Sequence, residues 1–282
     1  MSGAGGRTMV TLSAFVCAHN EESRIAGCLE RLSFCDEIVV VADRCTDRTE
    51  MIARRLGARV VSGIFPLEGD RRAVGAAACS GDWILEIDAD ETVGPALARE
   101  ITDLLSRSPP GDWFSLPVDN YIGERLVRFG WEGSFGASAV TRLYRRGVKA
   151  WGRERIHPTV RFIGARGESL RNALRRVVDE NISGFLLRLD RQSRLRAEDF
   201  AERGERMRLR PTLFASLRRL QKSYVANRGF REGEWGLLIA VVAAAYPLIS
   251  LLHARLESVG ASSAPSAKVL VLPTAAARRA MK

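Results

Sequence analysis

What this chain lacks narrows it first. Its five cysteines, Cys17, Cys28, Cys35, Cys45 and Cys79, all fall in the first third, and none forms a Cys-x-x-Cys pair. With three histidines in 282 residues, no Cys/His cluster has zinc-ligand spacing. These absences exclude a disulfide scaffold and a zinc ribbon, and suit reduced, mostly buried thiols in a cytosolic protein. No internal repeat is present, which excludes solenoids and propellers. Met1 to Thr8 is Gly-rich and polar, and reads as a flexible tail rather than a signal peptide. Acids are the scarcer charge: 33 Asp and Glu against 43 Lys and Arg leave a net charge of +10. That surplus suits nucleic acid, an anionic membrane surface or a phosphorylated substrate. A hydrophobic content of 46% with 27% charged residues is that of a globular protein and excludes wholesale disorder.

What is there gathers around residues 82–91, Asp82-Trp83-Ile84-Leu85-Glu86-Ile87-Asp88-Ala89-Asp90-Glu91. An apolar strand runs straight into carboxylates at its carboxyl end, where open α/β sheets bind ligands. Asp88 and Asp90 repel each other unless a positive charge sits between them, and a hard divalent cation suits oxygen ligands. Alone, an Asp-x-Asp is also a common helix-capping turn. Upstream, Met9 to Cys17 reads as a strand that enters the polar turn Ala18-His19-Asn20-Glu21-Glu22-Ser23 and a helix to about Ser33. Glu37 to Val41 is a second strand. Thr46 is the expected N-cap of the helix that follows, and Asp47 favours its N-terminus. A third strand, Ala58 to Ser62, and an Ala-rich helix, Gly69 to Cys79, lead into the 82–91 strand. Such alternation predicts an α/β fold: a mostly parallel sheet with helices on both faces. Three strand ends then bring Asn20 and Glu21, Asp43 with Asp47, and Asp88 with Asp90 to one rim. Glu91 to Leu105 reads as a helix that Glu91 helps to start, and Asp112 to Val118 and Ala139 to Tyr144 read as strands.

Four stretches, in order and at suitable spacing, resemble glycosyltransferase family 2, the inverting nucleotide-sugar enzymes of the type-A fold. They are Cys17-Ala18-His19-Asn20-Glu21-Glu22, Val39 to Thr49, Arg72-Ala73-Val74-Gly75 through Asp82, and Asp88-Ala89-Asp90. Cys17 stands where proline is usual, Ala42 replaces the first of two frequent aspartates, and Ala73 and Cys79 replace asparagine and alanine. The later chain resembles the branch that adds hexoses to lipopolysaccharide core: Asp88 to Glu91, Thr141 to Arg146, Ile156-His157, and Gly229 to Ala240. In that branch glutamate usually follows the histidine, where this chain has Pro158.

The resemblance implies that Ala18 and Glu21 line a nucleotide pocket and that Asp43 accepts a hydrogen bond from the base. It puts Arg72 near base and diphosphate, with Gly75 permitting close approach. Asp90 would bind magnesium or manganese directly, and Asp88 would contact the ribose or a metal-bound water. Inversion also needs a base for the acceptor hydroxyl. The Glu-Asp motif many relatives use has no clear counterpart, which leaves Glu132, Glu154 and His157 as candidates, Glu132 first among them. His157 could equally contact the metal or the diphosphate. Trp131 and Trp151 could stack on a sugar ring or simply pack in the core.

From Arg166 to Arg231 the chain is strongly basic, Phe185 to Leu220 reads as an amphipathic helix, and Trp235 to Leu252 is almost uninterruptedly apolar. That run is just long enough to span a bilayer; the expected placement is in or against the cytosolic leaflet, with the arginine-rich segment binding anionic headgroups, and a buried helix or dimer interface is the alternative. The expected division is a tail 1–8, a catalytic domain 9–165, a basic helical extension 166–257 holding the apolar helix 235–252, and a loose tail 258–282. The whole predicts an inverting, metal-dependent hexosyltransferase. It would use a nucleotide-sugar donor and a lipid-linked envelope glycan of lipopolysaccharide-core type. The expected location is cytoplasmic, peripheral or monotopic on the inner face of the plasma membrane. An anionic membrane surface is the expected further partner, nucleic acid is not, and a homo-oligomer stays open. Polyprenyl phosphate as acceptor is the alternative; a basic nucleic-acid-binding protein and an inactive scaffold rank below it.

Overall fold

The computed structural model describes residues 10–132, 135–154 and 158–257. Four strands carry the first half of the sheet: β1 (Leu12–Ala18), β2 (Glu37–Asp43), β3 (Arg59–Gly63) and β4 (Trp83–Asp88). They are linked by α1 (Ile25–Glu30), α2 (Thr49–Arg55) and α3 (Glu68–Ala78), and lie parallel in the order β3-β2-β1-β4. The chain moves outward through β2 and β3, then returns to the other side of β1. This reversal makes the carboxyl ends of β1 and β4 a topological switch point, where such sheets hold ligands. Register sets Cys17 beside both Val41 and Asp88, so the turns after β1, β2 and β4 open onto one rim.

Side chains alternate across these strands. Ala14, Val16, Val40 and Leu85 face α1, α2 and α4 (Pro95–Ser106), whose Leu97, Ile101 and Leu105 recur at helical spacing. Phe15, Val39, Val41 and Ile84 face the other way, under α3. Helices therefore cover both faces, as expected. Gly75 belongs to this packing. A Cβ there would come within 2.6 Å of the Phe15 ring, so the glycine permits close approach of helix to sheet.

The second half of the sheet is mixed rather than parallel. Next to β4 come β8 (Ala139–Arg145), β6 (Trp113–Ile122), β11 (Leu174–Asp179) and β5 (Glu91–Thr92), with β7 (Arg125–Val127) on β6. Only β6 and β11 run parallel here; among the described residues no α-helix separates β6 from β8 to serve as a crossover, and that pair is antiparallel. β9 (Lys149–Trp151) and β10 (Val160–Phe162) form a separate hairpin. Three local expectations change. Glu91 lies in β5, not in a helix, and α4 starts four residues later with Pro95 in its first turn. Asp47, not Thr46, accepts the Thr49 N–H at the head of α2, at 3.0 Å. β11 takes part of the expected helical extension into the sheet, and Leu170 and Leu174 are buried in the main core.

The helical part begins at α5 (Ile182–Glu202), capped by the Asn181 side chain, and continues through α6 (Leu209–Gln221) to α7 (Glu234–Leu256). The single helix expected over 185–220 breaks between α5 and α6, where Gly204 takes φ +67°. α7 packs on α5 and α6, and its Ile239, Val242 and Tyr246 join Phe135, Phe185 and Trp131 in a second core. Trp131 is thus a core residue, its indole N–H donating to the Val127 carbonyl at 2.6 Å. Half of α7's most apolar stretch is buried against the protein, although the helix is long and apolar enough to cross a membrane.

Gly75→Ala tests the helix-to-sheet contact. Phe15 is fully enclosed, so overpacking should lower stability by about 1–3 kcal/mol in urea denaturation. An unchanged midpoint would show that α3 does not lie on β1 as closely as described.

Candidate active site

The rim is built first from backbone turns that lock together. After β1, Asn20 accepts the Thr46 N–H at 2.8 Å and Glu21 donates its N–H to the Thr49 hydroxyl at 2.8 Å. Glu22 donates its N–H to Asp47 at 2.9 Å. Asn20 and Arg44 both hold left-handed backbone, at φ +56° and +49°, the latter unusual for a long side chain. Asp43, at the end of β2, is buried and accepts the Phe65 N–H at 3.0 Å. Arg44 closes on both its oxygens at 2.9 Å, and Arg71 lies 3.6 Å away. A base donating to Asp43 would share oxygens already held by Arg44.

Alternation along β4 puts Glu86 and Asp88 on the face of α3. Glu86 is 1% exposed and sits among cations. It accepts from Arg72 at 2.6 Å, Arg142 at 2.7 Å, Lys149 at 2.6 Å and the Tyr144 hydroxyl at 3.2 Å. Burial alone would raise its pKa, but Lys149, Arg72 and Arg142 outweigh it and hold the carboxyl at about 2. The same two guanidiniums clamp Asp88, Arg142 at 2.5 Å and Arg72 at 3.0 Å, and keep it ionised well below the usual carboxylate range against the opposing effect of burial. Glu68 pairs with Arg72 at 2.7 Å.

Beyond Asp88 the acids outnumber their partners. Glu91 accepts from Arg142 at 2.9 Å and from the Asp88 N–H at 2.9 Å. Burial pushes the Glu91 carboxyl up, Arg142 pulls it down, and the Asp88 charge pushes it up further. Asp90 meets only Arg176, at 3.3 Å, among the ion pairs of the described residues. Glu21 is raised too, first by burial and then by Asp90, which puts the β1 turn within electrostatic reach of the Asp-Ala-Asp turn. Carboxylate oxygens of Asp88, Asp90 and Glu91 lie within 4.8 Å of one another. Three hard oxygen donors at that separation, with negative charge in excess, fit a divalent cation.

These charges floor a cavity of about 370 Å³. Its opposite wall is the β9–β10 hairpin, with Trp151, Pro158, Val160 and Phe162, while Arg176 lies at the rim with Asp88. Gly69 at the head of α3 makes room for the hairpin, because a Cβ there would run into the Gly152 carbonyl. The indole N–H of Trp151 and Nε of Arg142 are buried with no hydrogen-bond partner among the described residues. The cavity thus lies between a charged floor and an aromatic wall.

Residues 13–150 match the family model described as Glycosyl transferase family 2. Those residues carry a glycosyltransferase family 2 domain. It is 28% identical over 256 residues to the lipopolysaccharide core biosynthesis glycosyltransferase LpsC of Rhizobium meliloti, covering 85% of this chain and 90% of that protein. An uncharacterized glycosyltransferase of Rickettsia typhi is 38% identical over 96 residues, 33% of this chain and 32% of that one, so the match spans about a third of that relative. Among solved structures, glucosyl-3-phosphoglycerate synthase from Mycobacterium tuberculosis, in complex with Mn2+, UDP and glucosyl-3-phosphoglycerate, is 27% identical with a TM-score of 0.34. That likeness covers 40% of this chain and 44% of that one. TarS of S. aureus is 13% identical with a TM-score of 0.46, over 78% and 74%. The architecture described above rests on strand order rather than on these two likenesses.

In this glycosyltransferase the residues expected at the donor and metal end come together, and neither of the two expected bases among the described residues joins them. Ala18, Glu21, Asp43, Arg72, Asp88 and Asp90 all lie at the rim or on the cavity floor beneath it. Glu132 is buried elsewhere, paired with Lys222 at 3.1 Å and near Asn227 at 3.5 Å. Glu154 folds back on the Thr159 hydroxyl and N–H, at 2.6 and 3.0 Å. Neither lines the cavity, and His157 lies outside the described residues. Glu86, Arg142, Lys149 and Arg176 are the residues that sequence reasoning missed. One signal was present: Glu86 shares the parity of Asp88 in an otherwise apolar strand.

Glu86→Gln should destabilise the enzyme by about 3–5 kcal/mol in denaturant, because it leaves buried cations without their common partner. The pH dependence has a definite sign. The Glu86 pKa falls from 4.5 unfolded to about 2 folded, so its contribution is complete above pH 4.5 and is lost as pH falls towards 2. That contribution is on the order of 3 kcal/mol. Acid titration of stability should be shallower in the glutamine variant; parallel curves would refute the assignment.

Proposed function

We propose that this family 2 enzyme transfers a hexose, with inversion, from a nucleotide-diphosphate sugar to a lipid-linked cell-envelope glycan of lipopolysaccharide-core type. The observation that carries this reading is the likeness to LpsC, which covers 85% of this chain and so extends well past the family domain into the helical part. Donor chemistry belongs to the sheet rim and acceptor handling to the later chain. Ala18 and Glu21 flank the nucleotide, and Asp43 with Arg44 meets the base. Arg72 and Arg142 hold Asp88 in place beside the diphosphate. Magnesium or manganese would be held by Asp90, with Asp88 and Glu91 adjoining, and supplies charge neutralisation for the departing nucleoside diphosphate. The protein excludes water with the β9–β10 hairpin and orients the sugar against Trp151 and Phe162.

In the transfer the acceptor oxygen bonds to the anomeric carbon as the bond from that carbon to the diphosphate oxygen breaks. The hydroxyl proton goes to a protein base, and the nucleoside diphosphate leaves with the electron pair. Of the three candidates we retain His157, which immediately precedes the cavity-lining Pro158. Glu132 and Glu154 are committed to Lys222 and Thr159. The acceptor's lipid anchor places the enzyme in the cytoplasm, peripheral to the inner face of the plasma membrane.

A thermal-shift panel of UDP-, GDP- and dTDP-sugars with manganese tests the reading. One nucleotide series should raise the Tm, EDTA should remove the effect, and Asp90→Ala should lose it while keeping the unliganded Tm. Transfer by Asp90→Ala should drop by roughly two orders of magnitude or more. No response to any nucleotide sugar, or full activity in that variant, sinks it.

A further inference from the structure

The apolar run that dominates the sequence is α7, half of whose most apolar stretch is buried, and a second exposed apolar face lies on the shorter α6. On its inner side α6 buries Thr212, and Arg219 lies over the Tyr246 ring of α7, 5.4 Å from its centroid. Its outer side shows Leu209, Leu213, Phe214 and Leu217, spaced i, i+4, i+5 and i+8 on one face. Phe214 is 72% exposed and Leu217 is 65% exposed, unusual for large apolar side chains. Past the helix, Val225 and Phe230 are exposed as well.

The charge around this face has one sign. Residues 206–231 carry eight basic side chains and no acidic one. That decides among occupants. A second copy joined about a twofold axis would bring this surface against itself, cation against cation. The chain's own segment 258–282 is no better matched, since it carries four basic residues and no acid. An anionic lipid surface matches both features: apolar side chains enter the headgroup boundary while arginines meet lipid phosphates.

We propose that α6 is the element by which this protein docks on an anionic bilayer. Leu213, Phe214 and Leu217 insert, and the exposed arginines of residues 206–231, among them Arg210 and Arg218, bind the lipid phosphates. α7 packs against the inner side of α6 and holds it in place. The proposal deepens the reading of a lipid-linked acceptor, and rests on that reading for the step it would serve.

The test is co-sedimentation of the full chain with two kinds of vesicle: phosphatidylcholine alone, and phosphatidylcholine with phosphatidylglycerol in equal parts. Binding to the mixed vesicles should exceed binding to the neutral ones by about tenfold or more and weaken with salt. The combined variant Leu213→Ser, Phe214→Ser, Leu217→Ser should lose about tenfold in binding. It should keep its circular dichroism and Tm, because the three side chains are exposed. Its nucleotide-sugar thermal shift should match wild type, which separates failure of docking from failure of the donor reading. Equal binding to both vesicle types, no binding, or full binding by the variant overturns the proposal. A wild-type dimer that the variant dissociates, without vesicle binding, would assign the face to a second copy.

Discussion

Glu86 is the anion on which the site depends. A carboxylate taken wholly out of water costs several kcal/mol unless charged partners surround it, and here three cations and a phenol do. Those partners come from α3, β8 and β9, while Glu86 itself belongs to β4. One side chain therefore fixes the spacing of four elements drawn from two distant stretches of the chain. Well-packed apolar residues could fill the same volume at similar stability. They could not aim Arg72 and Arg142 at Asp88. The cluster's value is positional.

The consequence runs outward in two directions. Toward the rim, the arginines held by Glu86 orient Asp88, and Asp88 donates its N–H to Glu91, so the acids after β4 sit in a fixed arrangement. Toward the hairpin, Lys149 reaches Glu86 and also donates to the Thr141 carbonyl, which ties the aromatic wall of the cavity to its charged floor. A separate strut joins the helical part to the sheet: Glu132, in the loop after β7, holds Lys222 at the end of α6 and approaches Asn227. Ser223 adds a hydrogen bond from its hydroxyl to the Gly130 carbonyl. The exposed face of α6 is thereby held at a set orientation to the sheet that carries the cavity.

The first four strands, their helices and the convergence of Asn20, Asp43 and Asp88 could be read from the sequence because each is a local pattern. Strand alternation and a polar turn at each strand end need no knowledge of distant residues. What escaped depends on pairings between remote segments. Nothing local places β8 beside β4, and without that neighbour Glu86 has no visible reason to be buried and Arg142 no visible target. β11 was hidden in the same way, inside a stretch whose arginines suggested helix. Glu91 looked like the acid that opens a helix, and became a buried partner of Arg142 once β5 paired with β11. Hydropathy marks α7 but does not say which of its sides is covered, and it passes over the shorter exposed apolar face of α6.

The two aspartates that look equivalent in Asp88-Ala89-Asp90 differ by their partners. Asp88 faces two guanidiniums, both buried and both anchored from behind by Glu86. An incoming cation would have to displace fixed positive charge to reach its oxygens. Asp90 faces one, Arg176, across a longer 3.3 Å contact, and Glu91 beside it is a carboxyl that burial leaves reluctant to ionise. A divalent cation at Asp90 would compete with a single arginine and would offset the acidic neighbours that add to the effect of burial in raising Glu91 and Glu21. This asymmetry supports Asp90 as the direct ligand and Asp88 as the oriented neighbour. It follows from which strand face each residue occupies: Asp88 keeps the parity of Glu86, and Asp90 lies past the end of β4.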